Sequence, residues 1–179
     1  SPAFAADGSL VAFASGADNL VAGDNNNTYD VFVRNLKTGV TSRISVDSSG
    51  MEGNGSSSGP SFSANGRFVA FLSYASNLVA EDGNGTADVF VHDLKTGITQ
   101  RASVDSSGTE GNGFSYEPVL SENGRYVAFS SYASNLVSGD NNGTYDVFVR
   151  DLVAGETQRV SVGNSGIEGN NESAGPAIS

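Results

Sequence analysis

The chain repeats itself at a constant step of 58 residues, with no insertion or deletion between the copies. The tetrapeptide Asp-Val-Phe-Val begins at Asp30, Asp88 and Asp146, which follow one another at this step. A repeat this regular predicts an array of similar structural units. The predicted units are residues 1–58, 59–116 and 117–174, followed by the start of a further unit at residues 175–179. A side chain that recurs in every copy is expected to serve the fold rather than a single active site.

Four short segments of the middle copy alternate with turn signals, and none of them keeps a helical period. These segments are residues 59–63, 68–73, 88–94 and 99–104. The dipeptide Asn65-Gly66 separates the first two and is the strongest short hairpin signal. The runs Val-Ala-Phe-Leu and Asp-Val-Phe-Val are continuous rather than alternating, which favours strands covered on both faces. An all-β fold follows, a β-propeller array of three four-stranded antiparallel blades plus the first strand of a fourth.

The copies share a sequence frame in two parts. The first part reads P-x-(F/L/I)-S-x-(N/D)-G-R-(F/Y)-V-A-F-x-S, and the second reads D-V-F-V-(R/H)-(D/N)-L-x-x-G-x-T. The frame covers Pro60–Thr99 and Pro118–Thr157, and more loosely Pro2–Thr41, where Ser9 replaces Arg and Asn35 replaces Asp. It resembles the blade of the TolB-type β-propeller family, which implies that the Pro-containing segment is the innermost strand. The loop between the two parts resembles blades of secreted bacterial propellers, which implies an extracellular or cell-surface location.

Three blades are too few to close a ring, because propellers typically close with about four to eight blades. We therefore expect the partners of this array to be more of the same chain or other copies of itself, in a ring or a fibre. Two chains could pair as half-rings, or residues 176–179 could insert into a neighbouring copy as an exchanged strand. A lone array would expose two apolar blade faces.

The charge balance argues against two classes of partner. The net charge is −11 and the chain has only 9 Lys and Arg residues. Nucleic acid and anionic membranes both call for a basic face, so neither is an expected partner. No segment approaches the roughly 18 apolar residues of a membrane span, so membrane insertion is not expected. The chain contains no cysteine, which rules out disulfides and thiolate metal sites.

An acidic frame, D-x-N-x-T-x-D, recurs between the second and third strands of each copy. Alternating carboxylate, amide and hydroxyl oxygens suit a hard cation, so these residues are candidate ligands of calcium. The candidates are Asp24, Asn26, Thr28, Asp30, Asp82, Asn84, Thr86, Asp88, Asp140, Asn142, Thr144 and Asp146. Two alternatives stay open. The same side chains stabilise turns without a metal, and each Asn-x-Thr is also a glycosylation sequon.

The remaining polar motifs are weaker. The G-x-S-x-G pattern at Gly55–Gly59 lies in a Ser/Gly-rich connector without the context of a nucleophile elbow, so it predicts no catalytic serine. His92 is the only histidine and is expected at a surface strand position. An arginine on the fourth strand is expected to form one exposed ion pair per blade. These pairs are Arg43 with Glu52, Arg101 with Glu110, and Arg159 with Glu168. Aromatic residues expected near loops, mainly for packing, are Tyr74, Phe114, Tyr116 and Tyr132.

Taken together, these patterns predict a non-catalytic extracellular β-propeller that serves as an interaction or assembly scaffold, with calcium as its candidate cofactor. Catalysis normally needs an asymmetric constellation, and three near-equal copies offer none, so an enzyme is not expected. Two other functions compete with this one. The chain could be the propeller part of a larger hydrolase or lyase, or a structural subunit that polymerises by exchanging terminal strands.

Overall fold

A computed structural model describes residues 1–179 and contains twelve β-strands and no helix. Strands β1–β4 are Ala3–Phe4, Leu10–Ser15, Asp30–Asn35 and Thr41–Arg43. Strands β5–β8 are Ser57–Phe62, Phe68–Ser73, Asp88–Asp93 and Thr99–Arg101. Strands β9–β12 are Ser115–Leu120, Tyr126–Ser131, Asp146–Asp151 and Glu156–Arg159. Each set of four forms its own antiparallel sheet, which confirms the three predicted blades. None of these elements is a helix of the length and apolarity needed to cross a bilayer.

Each blade is a simple meander in which consecutive strands pair. In blade 2, Phe71 of β6 lies opposite Phe90 of β7, and the two rings stack with centroids 5.9 Å apart. The predicted turn at Asn65-Gly66 joins β5 to β6, and Gly66 adopts a φ of +67° that favours glycine. The Asn-Gly turn and the apolar pattern of the strands in blade 2 therefore specify the same pairing register.

The inner strand of each later blade begins within the unit before it. Strand β5 starts at Ser57 and β9 at Ser115, two residues before the predicted boundaries. The Ser57 amide donates a hydrogen bond of 2.7 Å to the carbonyl of Tyr29 in blade 1. Residues 175–179 form no strand here; the Gly175 amide donates to Glu117 Oε2 at 3.1 Å. That they begin a further blade stays a prediction.

The core lies between adjacent sheets. We call the face of a blade that packs on the next blade its trailing face, and the opposite face its leading face. The trailing face of blade 1, with Val33 and Ile44, packs on the leading face of blade 2, with Phe71 and Leu78. Blades 2 and 3 form a second cluster in the same way. Both faces of the middle blade are covered, which is why all six residues of β7 are buried.

Candidate functional site

The acidic loop and the arginine of each blade come together in one cluster. In blade 1, Arg43 Nη1 lies 2.6 Å from Glu52, 3.2 Å from Asp24 and 3.5 Å from Asp30. Its Nη2 donates a hydrogen bond of 2.8 Å to the carbonyl of Gly23. The same arrangement recurs in the other two blades. It comprises Arg101 with Asp82, Asp88 and Glu110, and Arg159 with Asp140, Asp146 and Glu168.

Strand ends position these side chains. Asp30 opens β3 and is fully buried, and Ser45 Oγ donates to its Oδ1 at 2.5 Å. Arg43 closes β4 and lies opposite Phe32 in the ladder. A bridge between Val46 and Glu52 folds the following connection back, so that the glutamate reaches the arginine. Each cluster is thus built from one blade alone.

The asparagine and threonine of the predicted calcium frame are engaged within the loop. Asn26 Oδ1 accepts a hydrogen bond of 3.0 Å from the Thr28 amide. Asn26 Nδ2 donates to Asp30 Oδ2 at 2.8 Å and to the Gly53 carbonyl at 2.9 Å. The corresponding bonds in the other blades are those of Asn84 with Thr86 and Asp88, and of Asn142 with Thr144 and Asp146. This geometry is that of an Asx turn, which orders a loop without a metal.

Charge within each cluster is not balanced. Three carboxylates face one guanidinium, so two negative charges are uncompensated when all groups are ionised. In blade 2 the side chain of Arg101 is 7% exposed and that of Asp82 is 5% exposed. Burial raises the pKa of Asp24, Asp82 and Asp140 because it penalises the charged form. These three are also the carboxylates of their clusters that accept no hydrogen bond from the protein.

Calcium binding at these loops stays a prediction. Oxygens of Asp140, Asp146 and Glu168 lie within 4.8 Å of one another, close enough to share one cation. The guanidinium of Arg159 already lies among them, with Nη1 2.7 Å from Glu168 Oε2. A calcium ion would therefore share the cluster with the arginine or displace it. The sequence pattern does not include the glutamate among the candidate ligands, because it follows the acidic loop along the chain by two strands; it does place the arginine on the fourth strand as the partner of that glutamate.

Two expectations about exposure are wrong. His92 is 6% exposed rather than at the surface, and its Nδ1 lies 2.8 Å from Thr99 Oγ1. The same hydroxyl donates to the Val46 carbonyl of the preceding blade. Burial lowers the pKa of His92. The arginine side chains of the clusters are also about nine-tenths buried, so their ion pairs are not the exposed ones expected.

The serine of the G-x-S-x-G pattern is structural. Ser57 is fully buried in β5, and its Oγ donates a hydrogen bond of 2.8 Å to Ser73 Oγ. A nucleophile needs an exposed hydroxyl and a base beside it, and Ser57 has neither.

The aromatic residues near the loops form a chain of ring contacts between blades 2 and 3. Tyr74 contacts Phe114, which contacts Tyr116. Tyr145 then lies 5.2 Å from Tyr116 and 5.3 Å from Tyr132, centroid to centroid. Tilted and edge-on pairs are the packing geometry of aromatic side chains. The sequence did not point to Tyr145 as a member, because it lies inside the acidic loop.

No family model matches the chain, and no curated protein is similar to it. Solved structures do match. A protein assigned as TolB from Agrobacterium tumefaciens has a TM-score of 0.57 at 18% identity, over 88% of this chain and 47% of its own. The propeller domain of the Trilobed protease from Pyrococcus furiosus, described as having an open velcro topology, has a TM-score of 0.55 at 19% identity, over 88% and 40%. An acylaminoacyl peptidase from Pyrococcus horikoshii has a TM-score of 0.52 at 17% identity, over 89% and 24%.

This chain spans less than half of the length of each of these three structures. Identities this low carry information on fold alone. The three stacked four-stranded sheets, the 58-residue repeat and these similarities together make the chain an array of β-propeller blades, similar in fold to the TolB structure.

Proposed function

We propose that the chain is a non-catalytic β-propeller scaffold that assembles with further blades through its two terminal faces. One observation carries this proposal: the terminal faces bear the residues of the internal interfaces but are uncovered. Leu20 on the leading face of blade 1 is 36% exposed, whereas its counterpart Leu78 is 1% exposed. Val160 on the trailing face of blade 3 is 45% exposed, whereas its counterpart Ile44 is 2% exposed.

The two terminal faces are apolar over several strands. The leading face of blade 1 consists of Val11, Phe13 and Leu20. The trailing face of blade 3 consists of Val147, Val149, Val160 and Val162. Full burial of one such side chain stabilises by roughly 1.5–3 kcal/mol, so covering either face is a substantial driving force for association. Contiguous apolar patches of this kind mark interaction sites.

The repeated clusters support a scaffold rather than an enzyme. Each arginine is held by the carboxylates of its own blade, and the arrangement is the same three times. Such clusters fix loops and strand ends, and none of the three differs from the others as a catalytic site would. An extracellular or cell-surface location is part of the proposal; the resemblance of the loops to secreted propellers supports it, and a chain without cysteine is compatible with it.

Light scattering after size-exclusion chromatography tests the assembly. The chain has a mass of 18.3 kDa, and we expect the wild-type protein to have a multiple of that mass. Leu20→Lys or Val160→Lys places a charge in a terminal face and should return the protein to the monomer mass. Val153→Lys is the matched control, because Val153 is 78% exposed in the β11–β12 turn, away from both faces. A wild-type protein that is monomeric at every concentration would contradict the proposal.

A second candidate function is the propeller part of a larger hydrolase. The similarity to the Trilobed protease and to the acylaminoacyl peptidase favours it. In that case further blades of one longer polypeptide would cover the terminal faces. The mass of the protein isolated from its source separates the two functions, since this candidate requires a polypeptide with an additional non-repeat segment.

A further inference from the structure

We infer that a cleft between blades 1 and 2 binds a small organic anion with an apolar body and a single carboxylate, of the class of a medium-chain aliphatic acid. The cleft has a volume of about 620 Å³, within the roughly 300–1,000 Å³ of small-molecule sites. It lies between two sheets that pack on each other within the chain. The inference therefore goes beyond the scaffold function and does not rest on assembly through the terminal faces.

The cleft opens at the end of the sheets where the hairpin turns lie. On the side of blade 1 it is bordered by the start of β2 at Leu10, the end of β3 at Asn35 and the turn that follows β3. On the side of blade 2 it is bordered by the β5–β6 turn at Asn65–Arg67 and by Lys95 after β7. The acidic loops lie at the opposite end, since Asp30 opens β3 and Asn35 closes it. The length of a strand therefore separates the cleft from the acidic clusters.

The floor of the cleft is apolar. Val33 and Ile44 belong to the buried core between the two blades. Leu10 and Leu94 also line the cleft and are half-buried against the same core. Val40 adds an apolar side chain that is 57% exposed. An aliphatic body placed here would continue the core outward, and the removal of this apolar surface from water favours its binding.

A difference between the repeats leaves this space open. At the junction of blades 2 and 3, Phe68 occupies the position of Leu10, and its ring packs against the turn glycine Gly124. A Cβ added at Gly124 would lie 2.3 Å from that ring. At Gly66, the corresponding glycine, an added Cβ would lie 3.7 Å from the tip of the shorter Leu10 side chain. The phenylalanine ring thus closes at one junction a space that the leucine leaves open at the other.

The rim of the cleft carries basic groups and no carboxylate. The charged residues that line the cleft are Arg67 and Lys95, in a chain that has 20 Asp and Glu against 9 Lys and Arg. Arg67 is paired with Asp93 through Nε and Nη2. Lys95 forms no ion pair in the chain, so its ammonium is the one uncompensated charge of the rim. A single carboxylate balances this charge, whereas a dianion such as phosphate would exceed it.

Three nitrogen donors of the rim have no hydrogen-bond partner in the chain. They are Lys95 Nζ, Arg67 Nη1 and Asn35 Nδ2. The Asn35 side chain is held through its Oδ1, which accepts hydrogen bonds of 2.9 and 3.0 Å from the amides of Lys37 and Thr38, so its Nδ2 is left to donate. A carboxylate offers two acceptor oxygens to such donors, and its hydrogen bonds with cationic groups are among the stronger ones in proteins.

The junction of blades 2 and 3 lacks this combination. At the positions of Asn35 and Lys95 it has Asp93 and Val153, so a carboxylate replaces the amide and the ammonium is lost. The phenylalanine ring that fills the space is a third difference. Three departures from the repeat therefore line one cleft, and all three favour an apolar anion between blades 1 and 2. An otherwise regular array thus has an asymmetric site at this junction.

Isothermal titration calorimetry with sodium decanoate, below its micelle concentration, tests the site. We expect saturable binding of one decanoate per chain, and much weaker binding of decyltrimethylammonium, which has the same alkyl chain and the opposite charge. Lys95→Val introduces the residue of the other junction and should weaken decanoate binding by about tenfold, because it removes a charged donor. Lys37→Val is the matched control and should bind as wild type does, since Lys37 lies in the turn after β3 but does not line the cleft.

Leu10→Phe tests the shape of the cleft, because it introduces the ring of blade 2 and should abolish decanoate binding. Phe68→Leu opens the other junction, which keeps Asp93 and Val153, and should gain no second decanoate. Equal decanoate binding by wild type, Lys95→Val and Leu10→Phe would overturn the site, as would the absence of saturable binding. Equal binding of decyltrimethylammonium would overturn the preference for an anion. Val160→Lys should bind decanoate as wild type does at any mass, so this inference and the proposed assembly fail independently.

Discussion

Thr157 Oγ1 donates a hydrogen bond of 2.6 Å to the backbone carbonyl of Val104, across the junction of blades 2 and 3. The Thr157 amide also donates to Ser106 Oγ at 3.0 Å. These bonds attach the outer strand of one blade to the connection that follows the outer strand of the preceding blade. Blades are therefore held in register by a repeated polar contact as well as by apolar faces.

Replacing the Thr157 hydroxyl should weaken the junction of blades 2 and 3. Thr157→Val leaves the Val104 carbonyl without its donor, so we expect the free energy of unfolding to fall by about 1–2 kcal/mol. Urea unfolding followed by circular dichroism measures this change. Thr109→Val is the control, since Thr109 is exposed in a loop, and should stay within about 0.5 kcal/mol of wild type. Equal losses in the two variants would contradict a role for the junction bond.

Substitution of the arginine and substitution of an aspartate in the same cluster should change the free energy of unfolding very differently. Arg101→Met leaves three carboxylates without a counter-charge, and we expect a loss of about 3–5 kcal/mol. Asp82→Asn removes a buried charge that accepts no hydrogen bond and whose pKa burial raises, so it should be neutral or stabilising. Urea unfolding of both variants at neutral pH decides this. If Asp82→Asn were as harmful as Arg101→Met, our description of the cluster's charge would be wrong.

A second ion pair predicts a dependence of stability on pH. Arg67 Nε and Nη2 donate to Asp93 at 2.9 and 2.6 Å, and this pairing holds the pKa of Asp93 well below its usual range. Because the folded pKa lies below the unfolded one, the stabilisation is present at neutral pH and is lost as pH falls below about 4. Asp93→Asn should therefore be less stable than wild type at pH 7, and the gap should narrow towards pH 2. A gap that is constant across urea titrations from pH 7 to pH 2 would refute this assignment.

The inner hairpin turns offer a matched series of glycines. Gly8, Gly66 and Gly124 have φ values of +65°, +67° and +72°. An added Cβ would meet nothing within 4 Å at Gly8, Ala5 Cβ at 3.3 Å at Gly66, and the Phe68 ring at 2.3 Å at Gly124. Alanine at Gly8 should cost about 1 kcal/mol of backbone strain. At Gly124 it should cost a further ~1–3 kcal/mol from overpacking between blades. Melting temperatures that do not fall in the order Gly8, Gly66, Gly124 would contradict this packing.

Calcium binding is tested by comparing the melting temperature of the protein in calcium with that in a chelator. The acidic loops are closed by their own hydrogen bonds, and a guanidinium lies among the carboxylates, so we expect equal melting temperatures. A rise in calcium that Asp24→Asn, Asp82→Asn and Asp140→Asn together abolish would instead support the calcium prediction. The triple variant in chelator is the control for its effect on folding.

The strands and turns of each blade could be predicted from the sequence because the repeat and the turn signals are local. Asn65-Gly66 predicts its hairpin, and the hairpin fixes which residues of the next strand face each neighbour. The positions at which the first copy departs from the repeat frame could also be identified from the sequence. Ser9 and Asn35 occupy the positions of an ion pair that the other blades form, Arg67 with Asp93 and Arg125 with Asp151. Only the structure shows that these two substitutions together remove one ion pair from blade 1.

Contacts between blades, and contacts made by the connection that follows each blade, were not predictable in the same way. His92 lies on β7, the third strand of its blade, and is buried beside Thr99, whose hydroxyl bonds to Val46 of the previous blade. Arg43 and Glu52 were predicted as a pair, but their place among the loop carboxylates depends on how the connection folds back over β3 and β4. Burial of this kind arises from tertiary packing, which a single copy of the repeat does not encode locally.

The native mass of the untagged protein tests assembly through the terminal faces most directly. Native mass spectrometry, run over a range of concentrations, should give a multiple of 18.3 kDa for the wild-type chain. The same measurement on Val160→Lys should give the single mass, with Val153→Lys unchanged. A wild-type protein that stays at 18.3 kDa throughout would contradict the assembly of blades that we propose.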